Sequence, residues 1–398
     1  MRQVDDLPKI DFAAAEYQTR PFEMLAECAQ RWKIARSERG VELLDYDLCR
    51  QAIVDRRLGT GHPKLMDVLG LPEGRALEYK RDSISCHNRG PRRRNLRIPV
   101  TKLMGPDASE RFREDIKTVI IRVVDALPTQ TTVDLISNLC DPIPSAVYCY
   151  WTGAPFEDAS YVARTSHTVQ QVHTRNPEHT NDIVAAFESL LDYVDGRITN
   201  RRANMGDDLL SDLIRATDAG HLSEADLRNW VVKLAEANTD NSSHQIGIAL
   251  IELASRPNVW ARLGQDPTLV PAAIREVMRF HPRSISTSRE VMEDMQIEDT
   301  NLPKGTPVFA NIGAAHWDAR HYPSPDKFDI DREGEPPHLN FGGGIFSCVG
   351  RFAVTMEVEE VIRLLATRHP DIKLEKTGFS HSPLFTSVSE LNVVLNPV

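Results

Sequence analysis

The stretch His338-Leu339-Asn340-Phe341-Gly342-Gly343-Gly344-Ile345-Phe346-Ser347-Cys348-Val349-Gly350-Arg351 sets one cysteine between a glycine-rich turn and the opening of a helix. Three consecutive glycines let the main chain approach something flat and bulky that a row of Cβ atoms would exclude. Cys348 falls where amide N–H groups at the start of a helix favour a thiolate. A structural zinc site would want further Cys or His at short spacing, and none is near.

A lone thiolate in such a cradle suggests an axial ligand to haem iron. Phe341-x-x-Gly344-x-x-x-Cys348-x-Gly350 resembles the haem-binding signature of the cytochrome P-450 superfamily, the haem-thiolate monooxygenases. The plain alternative is a glycine loop before a helix with a buried cysteine. The order of the other segments decides between them.

The chain has 398 residues, 41% hydrophobic and 26% charged, an ordinary globular composition able to bury a large core. A net charge of −10 argues against a general nucleic-acid or anionic-membrane binder. No apolar run approaches 18 residues and the N-terminus has no apolar signal region, which predicts a cytoplasmic protein. Six scattered cysteines without a Cys-x-x-Cys pair fit reduced thiols, five of them packing residues.

From the N-terminus, the pattern predicts a helix from Pro21, strand and turn over 39–45 and a short helix at 46–55. Residues 57–91 read as a long loop with short helical pieces. In the family this region covers the substrate. The basic run Arg89 to Arg97 is by itself a solvated face. Aligned through Thr101 to Pro106, Arg97 falls on the family's helix arginine that pairs with a haem propionate, and Arg93 falls where bacterial relatives carry histidine. The resemblance thus implies Arg93 and Arg97 as haem-binding residues, with the other arginines facing an acidic redox partner. Helices are predicted at 108–126, 133–149, 156–172, 181–202 and 208–217, so the fold class is mainly α. The break at 174–180 resembles the family's connection that gates substrate entry, and His173 and His179 read as surface histidines.

Ser223 and Asp226 mark a helix opening, and the pattern runs to about Ser255, a rod of roughly 48 Å. Apolar flanks enclose eight polar residues, Asn238 to Gln245, which cover every face of two turns. Such a cluster needs hydrogen bonds or water if buried, and a surface kink is the alternative. In the family this position holds a small residue, then an acid and an alcohol that guide protons. By that resemblance the catalytic candidates are Asp240, Asn241 and Ser242. Asn241 replaces the usual threonine and Asn238 the usual glycine.

Glu276-Val277-Met278-Arg279 places two charges on one helix face and resembles the family's structural Glu-x-x-Arg pair, followed by Phe280-His281-Pro282. Arg289 matches a further propionate-binding arginine, and His338 resembles the histidine that opens the cysteine loop near a propionate. Phe346 departs from the family, whose members place His or Arg there, and Arg93 is the candidate to compensate. Leu384 and Phe385 reach either substrate or core.

The resemblance covers roughly residues 35–398 and implies one cytochrome P-450-like domain over 1–398, helical with a small β-rich region. It implies haem b held by Arg93, Arg97, Arg289, His338, Phe341, Gly344, Cys348 and Gly350, with Cys348 on the iron. It further implies O2 activation on a small organic substrate, electrons from NAD(P)H through a ferredoxin and ferredoxin reductase, and a monomer. Two rivals stay open: a haem-thiolate enzyme of atypical outcome (oxidative coupling, desaturation or peroxide-driven oxidation) and a haem-binding sensor or carrier without turnover.

Overall fold

The computed structural model describes residues 2–60, 70–174 and 176–396. The expected loop over 57–91 and the gating break therefore lie partly outside the described residues. The chain divides into two compact units, Met1–Gly61 with Gly247–Cys348 and Leu365–Val398, and His62–Ile246 with Val349–Leu364.

The first unit holds a five-stranded sheet in the order Ile34–Ser37, Gly40–Leu43, Pro307–Asn311, Ser286–Val291, Leu58–Gly59. Its first pair turns sharply at Gly40, whose φ of +144° and whose approach to Pro307 exclude a side chain: a Cβ there would lie 2.5 Å from the Pro307 carbonyl oxygen. Val41, Leu43, Leu58, Val291, Val308 and Ala310 form one core with Tyr46, Cys49 and Ile53. The helix Tyr46–Ala52 is opened by Asp45, whose carboxylate accepts from the Leu48 amide at 3.0 Å. Lys373–His381 and Thr386–Val394 pair as an antiparallel hairpin.

The Glu276–Arg279 pair lies in this unit on the helix Val270–Phe280, almost fully buried. The guanidinium binds the carboxylate through two bonds of 2.7 Å and also donates to the carbonyls of His316, Pro325 and Lys327. The Glu276 carboxylate accepts as well from the Asp329 amide and Arg332. A buried pair with its remaining donors and acceptors satisfied is the arrangement in which burial of charge is tolerated.

The second unit is helical, with the helices Arg75–Asp82, Pro91–Leu103, Arg113–Asp125, Pro142–Trp151, Ala159–Gln170, Thr180–Ala203 and Leu209–Asp218. The reading of one helix over 133–149 is corrected. Thr132–Asp134 is a strand, Ile136–Cys140 a wide π turn, and the α-helix begins at Pro142. Pro142 and Pro144 have no N–H to bond backwards, and Asp134 takes the Ile136 amide instead at 2.9 Å.

The long helix is Glu224–Ala254. Ser223 and Asp226 exchange backbone and side-chain bonds at 3.1 Å, the reciprocal cap expected of that pair. The helix runs without interruption through the polar centre, so the kink is not formed. Asn238, Thr239, Ser242, Ser243 and Gln245 are buried there. Architecture and helical content are those of the expected mainly α fold with small sheets.

Candidate active site

In the first unit the cysteine loop closes on itself. The Cys348 amide donates to the Phe341 carbonyl at 2.8 Å. Gly342 and Gly344 adopt φ of +61° and +59°, the left-handed region that side chains resist. Gly343 passes so close to Val54 that a Cβ would meet its Cγ1 at 2.9 Å. Of the six cysteines only Cys348 is exposed. Burial pushes the thiols of Cys28, Cys49, Cys86, Cys140 and Cys149 above their ordinary value, which disfavours their thiolates.

Arg289 is buried on the strand Ser286–Val291. Its guanidinium donates to Thr287 Oγ1 at 3.1 Å and to the Ser288 carbonyl at 2.8 Å, and lies 4.9 Å from the centroid of the Phe346 ring. The unexpected Phe346 is thus a platform for Arg289, a cation–π contact. His338 sits edge-on to Phe341 with centroids 5.7 Å apart. Burial first, then Arg275, pulls its pKa down to about 4, so it is a neutral donor at pH 7.

The remaining expected residues belong to the second unit. Arg93 is buried on the helix Pro91–Leu103, and its Nη1 donates to the carbonyls of Ile84 and His87 at 2.6 and 2.8 Å. That nitrogen therefore ties down the preceding turn. Arg97 lies half-buried one turn further along. The Gly350 carbonyl accepts from Val354 and opens the helix Arg351–Arg368.

Asp240, Asn241 and Ser242 do not converge. Successive helical residues point about 100° apart, and each side chain engages a different neighbour. Asn241 Nδ2 donates back to the Ala237 carbonyl at 3.0 Å. Ser242 donates to Asn238 Oδ1 at 3.0 Å, and the Asn238 amide reaches the Pro144 carbonyl and Glu357. Glu357 is fully buried, and burial pushes its carboxyl up to about 8 against the pull of bonds from Ser242 and Asn238. Asp240 Oδ1 instead faces His244 Nε2 at 3.6 Å and His167 Nδ1 at 3.9 Å. His167, Asp141 and Glu357 escape sequence reasoning because nothing local marks them. Only the distant i, i+4 pairing of Asp240 with His244 was open to inspection.

Among the described residues no three His, Cys, Asp or Glu side chains converge as a metal site. The loop therefore offers one sulfur beside a glycine-lined main chain and a buried arginine. That donor set fits a thiolate-ligated macrocycle bearing carboxylates and does not fit a zinc centre. No helix among the described residues is long and apolar enough to cross a membrane.

Residues 160–365 match the family model described as Cytochrome P450. The chain is 31% identical to luteothin monooxygenase of Streptomyces thioluteus, over 91% of this chain and 89% of that protein. It is 27% identical to 6-deoxyerythronolide B hydroxylase of Saccharopolyspora erythraea, over 83% and 82%. Among solved structures, CalO2 superposes with a TM-score of 0.90 at 24% identity, covering 98% of this chain and 100% of that one. Epothilone D-bound cytochrome P450epoK superposes at 0.88 and 23% identity, covering 98% and 99%. Sequence and fold agree over nearly the whole length, and the chain belongs to the cytochrome P450 family, as a haem-dependent monooxygenase.

Proposed function

We propose that the enzyme oxidises a small organic molecule, most simply by hydroxylation, using O2 and electrons passed from NAD(P)H by a ferredoxin and its reductase. The carrying observation is the self-closed loop that presents Cys348 beside its glycines. Its thiol is the iron ligand in this reading, and the haem is haem b. When bound, a thiolate-ligated haem supplies O2 activation and C–H oxidation. Arg289, held by Phe346, together with Arg97, Arg93 and neutral His338, supplies the donors that fix the haem carboxylates. Gly344 and Phe341 shape the loop, and Gly350 opens the helix that follows it in sequence.

On the long helix, Asp240 carries protons, Asn241 holds water through its amide, and Ser242 connects that turn to Glu357. The relatives' names point to organic products such as luteothin and 6-deoxyerythronolide B as the substrate class. The protein acts as a cytoplasmic monomer in this reading. A second reading, oxidation ending in coupling or desaturation or driven by peroxide, is favoured by Asn241, whose amide is engaged with its own helix.

The test is the absorption spectrum of the reduced, carbon monoxide-bound protein, followed by product analysis with and without ferredoxin and reductase. A thiolate-type spectrum that survives in Cys348→Ser removes the ligand assignment. Product formed with peroxide alone, and none with the redox chain, favours the second reading. Substrate-dependent NAD(P)H consumption with matching product excludes a sensor or carrier.

A further inference from the structure

We propose that His167, set between Asp141 and Asp240, is the positioning residue that supplies protons from solvent to Asp240. The proposal rests on the reading of Asp240 as the proton-carrying acid and names the group behind it.

The two ring nitrogens of His167 face two different carboxylates. Nε2 lies 3.3 Å from Asp141 Oδ1, an ion pair off the hydrogen-bonding line, and Nδ1 lies 3.9 Å from Asp240 Oδ1. An imidazole so placed takes a proton on one nitrogen and releases it from the other. The side chains at the outer end of this route are wetter, 33% exposed at His167 and 23% at Asp141, than Asp240 and His244 at 17% each. Water therefore reaches the start of the chain more readily than its end.

Asp141 is itself held. It stands at the entry to the helix Pro142–Trp151, and Ser243, on the same face of the long helix as Asp240, donates to its Oδ1 at 2.5 Å. The groups facing His167 are thus Asp141 from one element and Asp240, with His244 behind it, from the long helix. The helix Thr180–Ala203 also packs on the helix of His167, where Tyr161 bonds to Ser189, but the charges acting on His167 are those of Asp141 and Asp240. Asp141 leads in raising the His167 pKa, against desolvation, and the charge of Asp240 adds to it. Contacts of 3.3 to 3.9 Å leave each transfer one side-chain rotation from a hydrogen bond.

The demand on this route follows from stoichiometry. RH + O2 + 2e⁻ + 2H⁺ gives ROH + H2O: a C–H bond breaks, a C–O bond forms, and the second oxygen leaves as water. NAD(P)H supplies the two electrons through the redox partners. Imidazolium His167 gives its Nδ1 proton to the Asp240 carboxylate and keeps the one on Nε2; a rotation of the ring then turns the bare nitrogen toward Asp141, where it takes a proton from water.

The test uses the haem-loaded full chain with a plant-type ferredoxin and reductase, without added substrate, so that the same two electrons and two protons reduce O2 to H2O2. NADPH consumption and its solvent isotope effect are read from pH 6 to 9 for wild type, His167→Gln, Asp141→Asn and Asp240→Asn. Expected is a roughly tenfold fall in His167→Gln with loss of the upper pH inflection, since general acid transfer contributes on that scale or more. A second readout needs no turnover: the His167 ring titration by NMR in the ferrous carbon monoxide form should move down in Asp141→Asn. A slowed Asp240→Asn beside an unchanged His167→Gln overturns the proposal and leaves Asp240 in its role. Unchanged rates in both overturn the Asp240 reading and the proposal together. An unmoved His167 titration in Asp141→Asn also overturns the proposal.

Discussion

Replacing Glu357 by glutamine should flatten the decline of stability with rising pH. The Glu357 carboxyl is pushed from 4.5 to about 8, chiefly by burial. The folded state therefore keeps a proton that the unfolded chain releases above 4.5. A raised carboxyl of this kind contributes its full stabilisation below the unfolded value and loses it as pH climbs toward the folded value. One proton is worth about 1.4 kcal/mol per pH unit in that window, so pH 6 to 8 removes about 2 to 3 kcal/mol. For 398 residues that lowers Tm by about 3 °C.

Glutamine cannot ionise and lacks this slope. Its amide adds a donor where Glu357 Oε2 has no hydrogen-bond partner among the described residues. That produces a fixed offset of about 1 to 3 kcal/mol at every pH. The assay is apparent melting of the haem-loaded protein, followed at the Soret band and by far-ultraviolet circular dichroism from pH 6 to 8.5. The quantity that matters is the difference between the wild-type and Glu357→Gln curves. Two parallel curves would refute the reasoning, because Glu357 would then carry no extra proton in the fold.

Glu276→Ala leaves Arg279 buried without its carboxylate, a loss on the order of 3 to 5 kcal/mol; expression with normal haem content would sink that estimate. Gly344→Ala forces a side chain into a φ of +59° and should cost about 1 to 2 kcal/mol, seen as a lower denaturant midpoint. Asn241→Thr exchanges an amide for a hydroxyl at the helix centre, and the yield of product per NAD(P)H should change. An unaltered yield would remove Asn241 from proton handling.

Where chemistry is written into adjacent residues, the fold and site were legible. The cysteine loop declared itself through three glycines and a thiol, and the long helix through its Ser223–Asp226 cap and apolar flanks. The Glu276–Arg279 pair was legible from spacing, although its burial came from carbonyls 37 to 48 positions away. What escaped depends on tertiary approach. Asp141 and Ser243 are 102 positions apart, and Asn238 and Glu357 are 119 apart. The strand at Thr132–Asp134 and the π turn were overridden in the helical reading by apolar residues, while the decisive facts were two proline nitrogens and the Asp134 carboxylate. Phe346 looked like a missing contact, and only its approach to Arg289 gives it a purpose.

The bond from Cys348 to Phe341 separates location from temperament in the sulfur. The closing bond joins main-chain atoms, so that bond does not itself depend on which side chains flank the thiol. The electron-donating strength of a ligating thiolate answers to hydrogen bonding and polarity around it. In the proposed reading, with Cys348 on the iron, the sulfur's surroundings would be open to change without breaking the backbone bond that closes its loop.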